Sequence, residues 1–248
     1  MPEENAYQQP DLLSGAKKRI AFDIEIAKDL PDDFDDFKAY RPLGISCAAA
    51  LTEGGSLTLW YGGKGEDAHN RQMTAAEVVR MVDFLWEKVQ AGYQIYTWNG
   101  LGFDFDILFE ESGGDVRCRQ LAEKHVDMMF HFFCIKGYAI SLDKAARGMG
   151  LKGKTEGMSG ALAPKLWREG QYETVLDYVA QDVRATMALA KECDKQKLVR
   201  WTSNRGRPQI CRLPNGWLTA DLAQNLPEPD TSWMSTPWPR SKFTGWLR

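Results

Sequence analysis

Apolar residues recur along this chain with two different periods, and each period predicts a different kind of element. Alternation of apolar and polar positions, and short apolar runs bounded by turn residues, predict strands near 19–26, 43–51, 55–61 and 93–98. Spacings of three and four residues predict helices over 74–90, 103–111 and 172–193. This order of elements favours an α/β domain.

Local signals refine several of these elements. Thr74 and Glu77 have the spacing of a capping box, which places a helix start at this point. The Glu53-Gly54-Gly55-Ser56 segment predicts a hairpin, so the sheet should mix antiparallel with parallel strands. Further along, 125–129 predicts a short strand or helix, 141–150 a helix, and 199–213 two strands around a turn.

Two carboxylates lie within the first predicted strand. Asp23 and Glu25 are two residues apart, and side chains at this spacing in a strand point to the same face. Burial of adjacent carboxylates is unfavourable unless cations or hydrogen bonds compensate, and a divalent metal ion would remove the repulsion. Alternatively, this is an edge strand whose acids face solvent while Phe22, Ile24 and Ile26 face inward.

A third acid follows a strand-to-helix turn. Asn99-Gly100 and Gly102 end the strand near 93–98, and Asp104 then lies in the first turn of the predicted 103–111 helix. The helix dipole favours an anion at this position. Alternatively, Asp104 or Asp106 is only a helix-start acid without further function, and Phe103, Phe105 and Leu108 belong to the core.

The long helix carries a tyrosine and a fourth acid. Tyr178 and Asp182 are four residues apart, so their side chains share one face of the helix about one turn apart. Alternatively, they form a capping or surface pair, because short motifs have a real false-positive rate. The ordered set of four acids and a tyrosine is much harder to attribute to chance than any one motif.

Together these residues resemble the DEDD superfamily of 3′–5′ exonucleases. The family pattern is Asp-x-Glu on the first strand, Asn-x-x-x-Phe-Asp at a strand-to-helix turn, and Tyr-x-x-x-Asp on a late helix. In this chain the three motifs are Asp23/Glu25, Asn99 to Asp104, and Tyr178/Asp182. A histidine subgroup places His five residues before the last Asp, where this chain has Asp177, so the tyrosine subgroup (DEDDy) matches better.

The resemblance is closest to the proofreading domains of family B DNA polymerases and their stand-alone relatives. It implies an RNase H-like fold over residues 15–197, with a mixed sheet flanked by helices. Residues 198–248 would then form a loop-rich, tryptophan-containing extension with short strands packed on the core.

The resemblance also implies two-metal hydrolysis. Oxygen ligands without cysteine or imidazole suit Mg²⁺ or Mn²⁺, with two ions in the site. By the resemblance, Asp23 bridges the ions, Glu25 and Asp182 complete the site of the ion that activates water, and Asp104 holds the second ion through water. Tyr178 is assigned to orienting the nucleophile, because a phenol with a pKa of about 10 is a poor base at neutral pH.

The expected activity is the release of nucleoside 5′-monophosphates from a single-stranded 3′ end, with DNA favoured over RNA. Asn99, Phe103 and Lys154 are the expected substrate-binding residues. Lys154 belongs to a loop with several Gly and Lys residues, which is alternatively a solvated connector. Two other functions stay open: a catalytically silent nucleic-acid-binding module, and a phosphohydrolase of small nucleotides. The complete set of acids argues against the silent module.

Composition restricts the remaining choices. The chain has 248 residues, of which 44% are hydrophobic, enough for one sizeable core, or for one core plus a small appendage. The sequence contains no apolar run of 18 residues, so we expect no membrane span. The polar, acidic N-terminus lacks the basic and apolar regions of a signal peptide. The five scattered cysteines favour buried or free thiols in a reducing compartment, so we expect a cytoplasmic location. The net charge of −3 suits an enzyme that holds only a few nucleotides.

The last fifty residues combine basic residues with five tryptophans: Trp201, Trp217, Trp233, Trp238 and Trp246. Such a mixture can form a surface on which single strands stack. Alternatively, the tryptophans anchor a loop-rich tail to the core, because each buries a large area. We expect anchoring for most of the five and stacking for at most one or two.

Overall fold

A five-stranded sheet lies at the centre of the computed structural model, which describes residues 18–31, 36–65, 68–153 and 160–248. Its strands are β1 (Lys18–Ile26), β2 (Ile45–Thr52), β3 (Leu57–Tyr61), β4 (Tyr93–Thr97) and β5 (Val126–Asp127). Across the sheet they lie in the order β3-β2-β1-β4-β5. The β1–β2 and β2–β3 pairs are antiparallel, whereas β4 and β5 continue the sheet parallel to β1. The mixed sheet expected from the sequence is confirmed.

Helices flank this sheet. In the described residues they are α1 (Ala75–Gln90), α2 (Asp104–Glu111), α3 (Val116–Lys124), α4 (Met128–Lys136), α5 (Leu142–Gly148), α6 (Ala163–Arg168), α7 (Tyr172–Gln196), α8 (Ala220–Ala223) and α9 (Ser241–Thr244). The capping box at α1 is present, since the Thr74 and Glu77 side chains each accept a hydrogen bond from the other residue's backbone N–H. The predicted α/β class is confirmed.

Side chains from the two faces of the central strand β1 pack into two separate hydrophobic clusters. Ile20, Phe22 and Ile24 enter the cluster that contains the apolar faces of α1 and α2, whereas Ala21 enters a cluster with α6 and α7. Because side chains alternate along a strand, Asp23 and Glu25 lie on the Ala21 side. β1 has a strand on each side, so it is not the solvated edge strand of the alternative interpretation.

The long helix α7 packs across β1 and β2. Val175, Val179 and Val183 recur every four residues and form the stripe that enters the core. Opposite them, β2 contributes Cys47 and Ala49. These small side chains allow the helix to approach the sheet closely, which brings polar groups on the same helix face within reach of β1.

The C-terminal residues begin with an antiparallel hairpin, β6 (Leu198–Thr202) and β7 (Pro208–Arg212). Trp201 and Trp217 are buried in a cluster with α4, α5 and α7, and the Trp246 indole N–H donates to the Leu101 carbonyl at 2.7 Å. Trp233 and Trp238 are exposed. Three of the five tryptophans therefore pack on the rest of the chain, while the domain boundary at residue 197 stays a prediction.

The remaining composition-based expectations concern thiols and membranes. All five cysteines are buried and free, as the sequence predicted. Within the described part of the chain, no helix is both long and apolar enough to span a membrane.

Candidate active site

Three carboxylates from β1 and α7 converge into what we term the acid cluster: Asp23, Glu25 and Asp182. Each residue contributes an oxygen, and these oxygens all lie within 4.8 Å of one another. Glu25 and Asp182 are buried, and Asp23 is half-buried. The geometry follows from the fold, since period-2 alternation aims both β1 acids at the helix that carries Asp182.

Tyr178 lies one turn before Asp182 on α7 and has only 1% of its surface exposed. Its side chain lines the same cleft as the acid cluster. The neighbouring Asp177 points away from the core and is exposed. One helical face thus presents a phenol beside the carboxylates, whereas the next residue along the chain faces solvent.

Asp104 joins the site from the first turn of α2. Its carboxylate accepts a hydrogen bond from the Ile24 backbone N–H at 3.0 Å and shares a hydrogen bond with the Asp23 carboxyl. Burial raises the pKa of Asp104 to about 7, although the Ile24 N–H acts in the opposite direction. A cation in the cleft would lower this pKa, because it favours the ionised carboxylate.

The turn before α2 is held by a buried carboxylate that sequence reasoning did not identify. Asp127 accepts hydrogen bonds from the backbone N–H groups of Asn99 and Leu101, both at 2.9 Å. Asn99 has a φ of 75°, in the left-handed region that asparagine tolerates better than most residues. Burial raises the pKa of Asp127 to about 6, against these backbone hydrogen bonds. Asp127 therefore fixes the turn that delivers Asn99 and Asp104.

One cleft brings together seven of the eight residues that the sequence assigned to catalysis, metal binding or substrate binding. They are Asp23, Glu25, Asn99, Phe103, Asp104, Tyr178 and Asp182. The eighth, Lys154, lies outside the described residues. Their separation along the chain spans nearly 160 positions, so the fold alone creates their proximity.

Other residues of the cleft were missed by sequence reasoning. Lys28, Trp98 and Pro164 line it beside the predicted set. Trp98 immediately precedes Asn99, and its indole N–H donates to the Ile140 carbonyl at 3.1 Å. Its position beside a motif residue was the available signal. By contrast, Pro164 reaches the cleft only through the packing of α6 against α7.

The donor set of the acid cluster fits a divalent cation. Carboxylates packed this closely repel one another unless positive charge or shared protons compensate. Three carboxylates supply hard oxygen donors, which Mg²⁺ and Mn²⁺ prefer over nitrogen or sulfur. The expected cofactors are therefore compatible with the residues at this site.

A second group of charges surrounds the buried Asp106, two residues after Asp104 on α2, and we term it the Asp106 ion-pair group. Asp106, on α2, is 1% exposed and forms ion pairs with Arg41 at 2.6 Å and Lys38 at 3.4 Å. Burial lowers the pKa of Arg41, but the Asp106 carboxylate, together with the charges of Glu110 and Asp36, raises it overall. Here protein cations compensate the acid.

Comparison with known proteins identifies the class of fold. The model of the RNase_H superfamily matches residues 57–193, more than half of the chain, and this protein belongs to that superfamily. The matched region includes Asp104, Tyr178 and Asp182 but begins after Asp23 and Glu25. No curated protein matches the sequence significantly.

Several solved structures are similar to this chain. The family B DNA polymerase from the hyperthermophilic archaeon Pyrobaculum calidifontis is 21% identical, with a TM-score of 0.52 over 72% of this chain and 24% of the polymerase. E. coli Exonuclease I in complex with a dT13 oligonucleotide is 15% identical, with a TM-score of 0.40 over 73% of this chain and 42% of that enzyme. This chain thus spans about a quarter of the length of the polymerase that it resembles.

Proposed function

We propose that this protein is a divalent-metal-dependent 3′–5′ exonuclease of the tyrosine subgroup of the DEDD superfamily. The observation that carries the proposal is the convergence of Asp23, Glu25 and Asp182 to within 4.8 Å, in a cleft that Asp104 and Tyr178 also line. The substrate is the 3′ end of a single strand, with DNA favoured over RNA, and the product is a nucleoside 5′-monophosphate. The fold shared with a DNA polymerase supports this choice of substrate class.

The carboxylates would hold two Mg²⁺ or Mn²⁺ ions. Asp23, Glu25 and Asp182 form the donor set for one ion, and Asp104, through its contact with Asp23, is placed to serve a second. When bound, the ions supply electrostatic stabilisation to the attacking and leaving oxygens of an in-line displacement. The protein contributes a fixed donor set, because β1, α2 and α7 are all packed in the core.

The other residues of the cleft position the substrate. The Tyr178 hydroxyl, held on the face of α7 that carries Asp182, orients the attacking water. Phe103 and Trp98 present apolar surface on which the terminal base can rest, and Asn99 offers an amide for hydrogen bonding. These contacts would fix the terminal nucleotide so that its phosphodiester faces the acids.

The direction and product of strand cleavage test this proposal. With Mg²⁺, a 5′-labelled single strand should give a ladder that shortens from the 3′ end, and a 3′-labelled strand should release labelled mononucleotide. EDTA should abolish both reactions. Asp104→Asn should lower turnover by at least roughly 10³-fold, since electrostatic stabilisation of several kcal/mol is lost.

Asp177→Asn is the matched control, because Asp177 is an exposed acid on the helix that carries Tyr178 and Asp182. It should cleave like the wild type. Activity that persists in EDTA, or a normal rate for Asp104→Asn, would contradict the proposal. Nucleoside triphosphates assayed in parallel separate the alternatives: their preferential hydrolysis indicates a phosphohydrolase, and binding without hydrolysis of any substrate indicates a silent module.

A further inference from the structure

Two tryptophans of the C-terminal residues are unlike the others. Among the nine tryptophans, all within the described residues, only Trp238 and Trp233 are exposed, at 47% and 66%. An exposed indole presents a large apolar surface to water, and a contiguous apolar patch on a protein surface commonly marks an interaction site. Their surroundings indicate what they bind.

Trp238 lines a groove that continues the catalytic cleft. This Trp238 groove is also lined by Phe37, Lys38, Asn99 and Lys242. Asn99 lines the cleft as well, so the two depressions share a wall. Phe37 also packs edge-on against Phe103 of the cleft, with ring centroids 5.1 Å apart. A strand that leaves the cleft past Asn99 therefore enters this groove.

The path continues beyond the Trp238 groove. Ala139 lines that groove and also lines a second one, the Trp233 groove, which contains Trp233, Tyr138, Lys144 and Arg205. The Tyr138 and Trp233 rings pack edge-on at 5.9 Å. Asn99 and then Ala139 are shared between successive depressions, so the cleft, the Trp238 groove and the Trp233 groove lie side by side in a series that we term the channel.

The charges along this channel complement a phosphate backbone. Lys242 lines the Trp238 groove with Lys38, whose ammonium is already paired with Asp106, and Asp36 is the one carboxylate that lines this groove among the described residues. Lys144 and Arg205 line the Trp233 groove. The Lys242 ammonium lies 3.7 Å from the centre of the Trp238 ring. Aromatic platforms interleaved with cations are the arrangement that binds single strands without sequence preference. Among the described residues, the two grooves are thus lined by four cationic side chains and one carboxylate, although the whole chain has a net charge of −3.

We propose that nucleotides upstream of the scissile 3′ end run along this channel, with one base stacked on Trp238 and another, further upstream, on Trp233. This inference rests on the proposed exonuclease function and adds the route of the substrate strand. It assigns to the exposed tryptophans a binding role, whereas Trp201, Trp217 and Trp246 anchor the C-terminal residues.

Binding of oligothymidylates from a dinucleotide to about twelve nucleotides tests the route, measured by fluorescence anisotropy in EDTA so that no cleavage occurs. For the wild type, Kd should fall as the strand grows past the cleft. Trp238→Ala and Trp233→Ala should each remove most of the affinity that the wild type gains when the strand becomes long enough to reach that tryptophan. Each variant should bind the longest strand about five- to 150-fold more weakly, with unchanged melting temperature. Lys242→Ala should make the negative slope of log association constant against log salt concentration shallower by about 0.7.

Strands with a single abasic nucleotide locate the contacts. An abasic position that stacks on Trp238 should weaken wild-type binding but add little to the defect of Trp238→Ala, because both changes remove the same contact. Matched controls are Leu222→Ala, another exposed apolar residue, and Lys88→Ala, whose ammonium lies 5.0 Å from the Phe84 ring centre. Neither lines the channel, and both variants should bind like the wild type.

Equal Kd values for the tryptophan variants and the wild type at every length would overturn the route. A change in oligomeric state on gel filtration, with unchanged Kd, would instead show that the indoles contact a second copy of the chain. Because the binding assay does not depend on catalysis, its result is separate from the cleavage test. A protein that cleaves strands but lacks tryptophan-dependent affinity keeps the proposed function and loses the route.

Discussion

Asp104, which adjoins the acid cluster, and Asp106, in the Asp106 ion-pair group, are buried carboxylates of the same domain, but their charges are compensated by different partners. Asp104 and Asp106 are two residues apart on α2 and almost equally buried. Asp106 contacts Arg41 and Lys38, so its charge is balanced within the protein. Asp104 instead accepts a hydrogen bond from the Ile24 backbone N–H and shares a hydrogen bond with another acid, Asp23.

This difference separates a structural acid from a functional one. The Asp106 ion-pair group stabilises the packing of the Phe37–Tyr40 turn and the residues after it against α2. The acid cluster gathers negative charge at the end of a cleft that is open to substrate, an arrangement that a protein without a ligand there would not need. Variants in the two groups should therefore differ in whether they change catalysis or stability.

A large effect on catalysis is expected from replacement of Tyr178. Tyr178→Phe removes only the hydroxyl that is proposed to orient water, so kcat should fall by roughly 10²–10⁴-fold while KM changes little. The melting temperature should stay close to the wild-type value, because the ring continues to fill its buried position. Steady-state kinetics on a single-stranded oligonucleotide measure this. An unchanged kcat in the folded variant would reduce Tyr178 to a packing residue.

A smaller effect, on stability, is expected in the second group. Asp106→Asn removes the carboxylate charge that Arg41 and Lys38 contact and leaves Glu110, at 3.2 Å, as the ion-pair partner of Arg41. The change should lower the free energy of unfolding by about 1–3 kcal/mol. For a chain of this length, that corresponds to a melting temperature lower by roughly 2–12 °C. Catalytic constants measured well below this temperature should remain near wild type. A loss of turnover comparable with that of Asp104→Asn would blur the distinction between the two groups.

The sequence predicted the main elements because their signals are local. The alternation around Asp23 and the four-residue spacing of Tyr178 and Asp182 set side-chain directions without reference to the rest of the fold. The resemblance then joined these motifs into one candidate site, and the structure places them around one cleft.

What the sequence could not predict depends on tertiary contacts. Asp127 looks like an ordinary helix-capping acid, and only the packing of β5 beside β4 brings it under the Asn99 turn. Likewise, Trp201 falls in a predicted strand and Trp238 does not, but both lie in the same mixture of basic and aromatic residues, and the strand pattern alone does not show that one is buried and the other exposed. Their roles separate only once the C-terminal residues are folded.

The number of metal ions bound per chain is the decisive measurement for the acid cluster. In a Mn²⁺ titration followed by the electron paramagnetic resonance signal of the free ion, we expect the wild type and Asp106→Asn to bind two ions per chain. Asp182→Asn should lose at least one, because it removes a donor from the acid cluster. Absence of Mn²⁺ binding by the wild type, or equal binding by Asp182→Asn and Asp106→Asn, would contradict the assignment of the acid cluster to metal binding.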